Sequence, residues 1–303
     1  MTAASAAGPS GLVIVDKPAG WTSHDVVGRM RRLAGTKKVG HAGTLDPMAT
    51  GLLLLGLNSS TRLLTYLVGL DKEYLATIRL GASTSTDDAE GEVTASTDAS
   101  AIGDEQIEAG IVPLRGPIEQ VPSSVSAIKV DGKRAYALVR DGETVELKAR
   151  AVTISAFEVL EIRRSGEFID VDVRVECSSG TYIRALARDL GATLEVGGHL
   201  TALRRTRIGP FSVTGAATLE DLDPVGQLLT PTSVAAELFP VFNATPQNVV
   251  DLVHGKRIDL AAFAGETRPI AAVSPEGRLV GLLTMTGERA KPLINFPTDE
   301  VTA

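Results

Sequence analysis

Short strands alternating with short helices predict an α+β protein, one large unit followed by a small β-rich one. Three observations carry that prediction. Residues 167–177 alternate, with Val171, Val173, Val175 and Cys177 on one side and Asp170, Asp172, Arg174 and Glu176 on the other, the period of a strand buried on one face. Helical stretches with start signals lie between such strands: Thr22, Ser23 or Asp25 ahead of Val26, Val27 and Met30, and a Ser-Ser-Gly-Thr turn ahead of Leu186 and Leu190. Near the C-terminal end, residues 270–273, the Pro275-Glu276-Gly277 turn and residues 279–285 read as short strands with a glycine turn, the pattern of a small β-barrel-like module.

Taken in order, residues 1–9 are a loose polar tail without the basic and apolar regions of a secretory signal. Residues 11–15 form a strand and Lys17-Pro18-Ala19-Gly20 a turn. The helix that follows ends near Gly35 and shows Arg29, Arg31 and Arg32 on its solvent side. A loop precedes a helix or apolar segment from Thr50, interrupted at residues 56–60, and a second helix spans 62–70. Residues 72–80 are a strand with Tyr74, Ala76, Ile78 and Leu80 on one side, and the Ser/Thr/Asp/Gly-rich stretch 81–97 is a hairpin or long loop. Residues 102–114 give an amphipathic helix ending at Gly110. Around residues 120–150 a proline turn, an Asp-Gly turn and Lys129, Lys133 and Arg134 read either as a surface loop or as a basic arm, with a short helix after the Asp-Gly turn. A helix from Tyr182 to about Leu190 puts Arg184 and Arg188 on one side. Arg204, Arg205 and Arg207 follow, then an acidic connection. Proline-marked turns near residue 240 divide a unit spanning 10–240 from one spanning 245–303.

Bulk composition narrows the function. Net charge is −7, against a protein that coats nucleic acid indiscriminately. The charge is uneven: residues 1–70 hold seven basic and three acidic side chains, residues 71–120 three and eleven. One basic face can therefore bind phosphates while the acidic segment faces away from them. A single cysteine excludes a disulfide framework and a multi-cysteine zinc site, and fits a reducing compartment. The longest apolar run is far short of the roughly 20 residues that span a bilayer, so the expectation is a cytoplasmic protein with no membrane contact.

The densest chemistry lies in VGHAGTLDPMATGLLLLG, residues 39–56. Gly40 and Gly43 can take backbone angles other residues avoid, and Pro47 fixes its own φ and disfavours helical geometry at Asp46. Asp46 thus sits on an extended, rigid loop beside His41, Thr44 and Thr50. Read alone, it caps a turn or lines a pocket.

HAGTLDPMATG (41–51) resembles the catalytic loop of the bacterial TruB family of tRNA pseudouridine synthases. The resemblance continues in GLVIVDKPAGWTS (11–23), KEYLATIRLG (72–81), QVPSSVSAIKVDGKRAY (120–136), CSSGTYIRALARDLG (177–191) and GGHLTALRRTRIGPF (197–211), in family order. It implies the α+β pseudouridine synthase fold, with a central mixed or antiparallel sheet, flanking helices and a C-terminal PUA-like domain. It further implies isomerisation of uridine to pseudouridine at position 55 of the tRNA T loop, on a flipped-out base.

By that resemblance Asp46 is the essential aspartate, Tyr74 stacks on the base, and Arg184 pairs with Asp46. His41 holds the opened loop, Leu203 lines the base pocket, and Tyr182, Lys129, Lys133 and Arg134 belong to the substrate surface. Lys17, Gly43 and Pro47 support the loop. Read without it, Tyr74 is a core tyrosine and Arg184 the partner of a surface carboxylate. Attack on the sugar by Asp46 and abstraction of a sugar proton both remain open. Because no atom enters or leaves, the reaction needs neither cofactor nor metal, only a placed acid and a pocket that keeps the detached uracil. The expected partner is the T stem-loop of tRNA; no obligate protein partner is evident and the expectation is a monomer. Two other readings stand beside this one: a non-catalytic RNA binder on the same scaffold, and an aspartate-based hydrolase, which would want a second acid near Asp46.

Overall fold

The computed structural model describes residues 9–123, 129–130, 133–134 and 147–297, with backbone only for 129–130 and 133–134. The chain enters as β1 (Gly11–Lys17), passes through helix α1 (Ser23–Leu33), and returns as β2 (Val39–Ala42) and β3 (Thr50–Leu57). Helix α2 (Leu64–Val68) leads into β4 (Lys72–Leu80), and a small hairpin of β5 (Ala82–Thr84) and β6 (Val93–Ser96) follows. Next come helix α3 (Asp104–Ile111), β7 (Gly116–Gln120) and the short pair β8 (Lys129–Val130) and β9 (Lys133–Arg134). The hairpin of β10 (Arg150–Ser165) and β11 (Phe168–Cys177), helix α4 (Ile183–Thr193), β12 (Gly198–Ile208) and β13 (Phe211–Ser212) complete this unit.

Nine of these strands form one sheet in the order β1-β3-β12-β4-β11-β10-β7, with β2 on β3 and β13 on β12. Every pairing is antiparallel except that of β12 with β3, which run parallel where Arg204 and Arg205 meet Thr50 and Gly51. The sheet is therefore mixed. Gly51 is a requirement of that joint: its φ is +97°, and a Cβ there would stand 2.2 Å from the Arg205 carbonyl oxygen. One face packs Ile78 and Leu80 of β4 and Val171, Val173 and Val175 of β11 against α3 and α4, which contribute Ile107, Ile111, Leu186 and Leu190.

Helix α5 (Pro231–Leu238), β14 (Val241–Asn243), α6 (Pro246–Val253), β15 (Ile258–Asp259), β16 (Ile270–Val273), β17 (Leu279–Thr286) and β18 (Arg289–Asn295) follow. Their five strands make a second sheet in the order β14-β16-β17-β18-β15. Leu12, Leu52, Leu54 and Phe211 pack in one apolar cluster with Val234, Ala271, Leu282 and Phe296, so the two sheets share buried surface.

Three local expectations change. The segment from Thr50 is a strand, because both of its faces are buried: Leu52 and Leu54 point into the cluster shared with the second sheet, Leu53 and Leu55 into one with α1. A doubly buried strand loses the alternation that would mark it and reads as a continuous apolar run. The helix expected at 62–70 is a 3-10 turn, Asn58–Leu63, followed by α2 alone. Helix α3 runs past Gly110 to Ile111 and tightens into a 3-10 turn, Val112–Leu114. The helix expected after the Asp-Gly turn lies outside the described residues.

Candidate active site

Asp46 sits on the connection between β2 and β3, and the backbone around it is pinned from three directions. The Lys17 ammonium, 0% exposed, donates to the carbonyls of Pro18 (2.9 Å), Trp21 (2.6 Å) and Pro47 (3.2 Å). Gly20 N–H donates to the same Pro47 carbonyl at 2.8 Å. The Ser23 hydroxyl accepts from Leu45 N–H at 2.9 Å and faces the Leu45 carbonyl at 3.1 Å. From below, the buried Arg205 guanidinium donates to the carbonyls of Gly43 (3.0 Å), Thr44 (3.4 Å) and Leu52 (2.8 Å). Gly43 takes a φ of +84°, the left-handed turn the loop needs. Rigidity here is a product of pinned backbone carbonyls, held by the Lys17 and Arg205 side chains and by Gly20 N–H.

The Asp46 side chain remains 38% exposed while its partner is buried. Arg184 Nη2 lies 3.1 Å from Asp46 Oδ2, and Arg184 Nη1 lies 3.2 Å from Asp88 Oδ2 and donates to the Thr86 carbonyl at 2.8 Å. One guanidinium thus ties two carboxylates. Asp88 is fixed in turn, accepting from Thr86 Oγ1 and from Glu90 N–H at 3.1 Å. Burial pushes the Asp46 carboxyl above its ordinary range; Arg184 pulls it back, and Asp88 pushes it up again. Arg184 supplies attraction and direction.

A cleft of about 270 Å³ opens over this pair, lined by Asp46, Tyr74, Tyr182, Arg184 and Leu203 among others. Tyr74 comes from β4, is 7% exposed, and has its phenol pushed above the ordinary range by burial. Leu203 lines the same cleft one diagonal away, since β12 pairs with β4 at Leu203 and Ala76 and at Arg205 and Tyr74. Lys72 closes the wall. Its ammonium donates to the carbonyls of Val68 (2.9 Å) and Leu70, and desolvation lowers its pKa to about 8.

Of the expected site residues, Asp46, Tyr74, Arg184, Tyr182, Leu203 and Gly43 line the cleft, while Lys17 and Pro47 meet in the hydrogen bond behind the Asp46 loop. His41 is not among the lining residues; it sits on β2 with its ring edge-on to His24 at 5.8 Å between centroids. The side chains of Lys129, Lys133 and Arg134 lie outside the described residues.

One expectation about charge is corrected. The acidic segment does not all face away: the β5–β6 turn folds under α4, so that Asp88 meets Arg184 and Asp87 meets Arg188 at 3.3 Å. A second acid therefore does stand near Asp46. The basic run on β12 is paired or buried. Arg204 pairs with Asp16 at 2.6 Å, Arg207 with Asp71 at 2.7 Å, and Arg205 is buried at 1% exposure. Asp88, Arg205 and Gln120, whose amide binds the backbone of Tyr182 at 2.8 and 3.1 Å, were not singled out by the sequence. Asp88 is hidden in a stretch that reads as solvated loop, and within the run Arg204, Arg205, Arg207 no local signal marks Arg205 as the buried one.

Among the described residues no group of three His, Cys, Asp or Glu is placed to hold a metal, and no helix is long and apolar enough to cross a membrane. Three family models match consecutive parts of the chain: the N-terminal domain of TruB family pseudouridylate synthases over residues 31–183, the tRNA pseudouridylate synthase B C-terminal domain over 184–237, and the tRNA pseudouridine synthase II C-terminal domain over 239–297. The chain belongs to the TruB family. A tRNA pseudouridine synthase B from Leifsonia xyli subsp. xyli is 60% identical over 296 residues, covering 96% of this chain and 98% of that protein. One from Thermobifida fusca is 54% identical over 290 residues, covering 94% and 98%. Among solved structures, a chain of an H/ACA RNP bound to a substrate RNA containing 2'-deoxyuridine is 27% identical, with a TM-score of 0.69 and coverage of 95% of this chain and 86% of that one. A chain of a Cbf5-Nop10-Gar1 complex is 28% identical, with a TM-score of 0.69 and coverage of 97% and 87%. As a TruB family member the protein is an isomerase that makes pseudouridine in tRNA.

Proposed function

We propose that the uridine isomerised is the one at position 55, in the T loop of tRNA, and that it reaches Asp46 flipped out of its stack. The observation that carries this reading is the Asp46–Arg184 pair: a partly exposed carboxylate at the floor of an open cleft, held at 3.1 Å by an arginine that is 4% exposed. Extrusion costs a few kcal/mol and least for a base already outside a continuous helix, which favours a folded loop as substrate. In this scheme the carboxylate of Asp46 works at the ribose, either on the sugar carbon or on a sugar proton. Tyr74 stacks on the base, and Leu203 with Tyr182 keeps the detached uracil from leaving. His41, at the far end of the same loop, steadies the opened RNA, and the 120–150 segment and the C-terminal PUA-like unit extend the contact along it. The protein acts in the cytoplasm as a monomer.

The test is Asp46→Asn on in-vitro transcribed tRNA, with pseudouridine mapped by carbodiimide labelling and binding measured separately. The expected result is loss of product by at least about 1,000-fold with tRNA affinity within a few-fold of the parent protein. Full turnover by the variant, or product at another uridine, overturns the reading.

A further inference from the structure

Helix α4 carries Arg184 in its first turn, and its start is fixed by a side chain from the other end of the sheet. The N-cap position is Tyr182, which supplies no side-chain cap of its own. Gln120, the last residue of β7 and only 2% exposed, lies against it. Its amide oxygen accepts from Tyr182 N–H at 2.8 Å, and its amide nitrogen donates to the Tyr182 carbonyl at 3.1 Å. That same carbonyl accepts from Ala185 N–H at 3.1 Å and Leu186 N–H at 3.3 Å, the bonds that open the helix. One amide thus satisfies both backbone groups of the residue where the helix begins, and Arg184 follows two residues later. The next residue on the same strand end is held as well, since Arg188 Nη2 donates to the Val121 carbonyl at 2.7 Å.

We propose that Gln120 is a positioning residue for the isomerisation: by binding both backbone groups of Tyr182 it sets the start of α4, and so places the Arg184 guanidinium on Asp46 and the Tyr182 ring in the cleft. It touches neither substrate nor Asp46. The alternative is that Gln120 merely fills a buried polar position, and the chemistry separates the two. At neutral pH an amide is the only side chain of this length that offers an acceptor and a donor together to the two backbone groups of one residue. Methionine keeps the length and loses both bonds; glutamate keeps the acceptor and loses the donor. Because a misplacement of about 1 Å can cost on the order of 100-fold in rate, the expected effect lies in turnover.

The inference rests on Asp46 and Arg184 acting as proposed above, and the experiment keeps the two apart. Gln120→Met, Gln120→Glu and Asp46→Asn are assayed in the full chain with T-loop RNA for kcat, KM, melting temperature and the acid side of the pH–rate profile. Asp46 is faced by Arg184 from α4, Asp88 and Glu90 from the β5–β6 turn, and Lys17 from β1. Loosening only Arg184 among these removes attraction, so the pH below which activity fails moves upward. For Gln120→Met the expected result is a 10- to 100-fold fall in kcat with KM within about threefold, together with that upward movement. Gln120→Glu is expected to lose activity in the same sense. A folded Gln120→Met with parental kcat and an unmoved profile, beside an inactive Asp46→Asn, overturns this inference alone. An active Asp46→Asn overturns the reading beneath it. If Gln120→Met fails to fold, the folded Gln120→Glu decides by the same profile: unmoved kcat and acid limb overturn the inference.

Discussion

The cleft and the open face of the sheet use the same side chains to opposite ends. On the open face Arg174 meets Glu73 at 2.9 Å, Glu158 at 2.7 Å and Glu176, while Arg163 meets Glu161 and Asp172, and Arg79 meets Asp170 at 2.7 Å. Those arginines keep 26–43% of their side-chain surface in solvent. In the cleft Arg184 keeps 4%, and its two carboxylates are Asp46 and Asp88. Exposed pairs are screened and contribute about 0–1 kcal/mol each. A buried arginine must be matched or the fold suffers, so its neighbours are fixed by necessity. The sheet's ion pairs are open to water on both sides; the pair on Arg184 is buried on the arginine side and directs a carboxylate, that of Asp46, which is still partly exposed.

Asp88→Asn strikes this contrast hardest. It removes one of the two charges on Arg184 and a repulsion on Asp46, so two effects separate. Turnover is expected to fall on the order of 10- to 100-fold as the guanidinium loses its second anchor. The acid limb of the pH–rate profile is expected to move down, because Asp88 raises the Asp46 pKa and its charge is gone. In the parent protein that limb should lie above the ordinary aspartate range, since a carboxyl held high is protonated sooner as pH falls. Steady-state rates on T-loop RNA between about pH 4 and 8 check both; an unmoved limb would mean that the two acids are not coupled.

Lys17→Met is next. The carbonyls of Pro18, Trp21 and Pro47 lose the ammonium, Pro47 keeping the Gly20 N–H, and a buried unsatisfied carbonyl costs about 1–3 kcal/mol, offset in part by removing a charge that burial disfavours. A net loss of about 2–3 kcal/mol is expected by urea denaturation. Linkage gives an independent check. Lys17 in the fold has its pKa lowered to about 8 from 10.5, so the unfolded chain binds the extra proton between those values. Its contribution therefore makes the parent protein more stable as pH rises from 8 toward 10, and the methionine variant should lose that part of the slope. Arg174→Ala should do least: about 1 kcal/mol or less in stability, and no change in kcat, by the same denaturation and rate measurements.

Much of the site was legible because its signals are local. Glycines and a proline around Asp46, a strand alternating through Tyr74, and a turn-then-helix ahead of Arg184 each declare their backbone within a few residues. What escaped depends on contacts distant in sequence. Asp88 reaches Arg184 because the β5–β6 hairpin bridges to β12 at Leu200, and nothing in a Ser/Thr/Asp run distinguishes one buried acid from exposed ones. Gln120 faces Tyr182 only once β7 lies at the end of the sheet beside β10. Leu52, Leu53, Leu54 and Leu55 of β3 left helix and strand undivided for the reverse reason: local pattern carries half-burial well and double burial not at all.

The place of β12 in the sheet has a consequence for how the chain comes into being. It lies between β3 and β4, yet is synthesised long after both. Until it leaves the ribosome, β4 presents an edge with unpaired peptide groups, β3 lacks a partner at Thr50 and Gly51, and the floor beneath Asp46 lacks Arg205. A nascent chain stopped short of that strand would hold the Asp46 loop without its underside, and would carry the open border of β4 into a crowded cell. Folding is thus committed late, by the strand that stitches the early and late thirds of the molecule together.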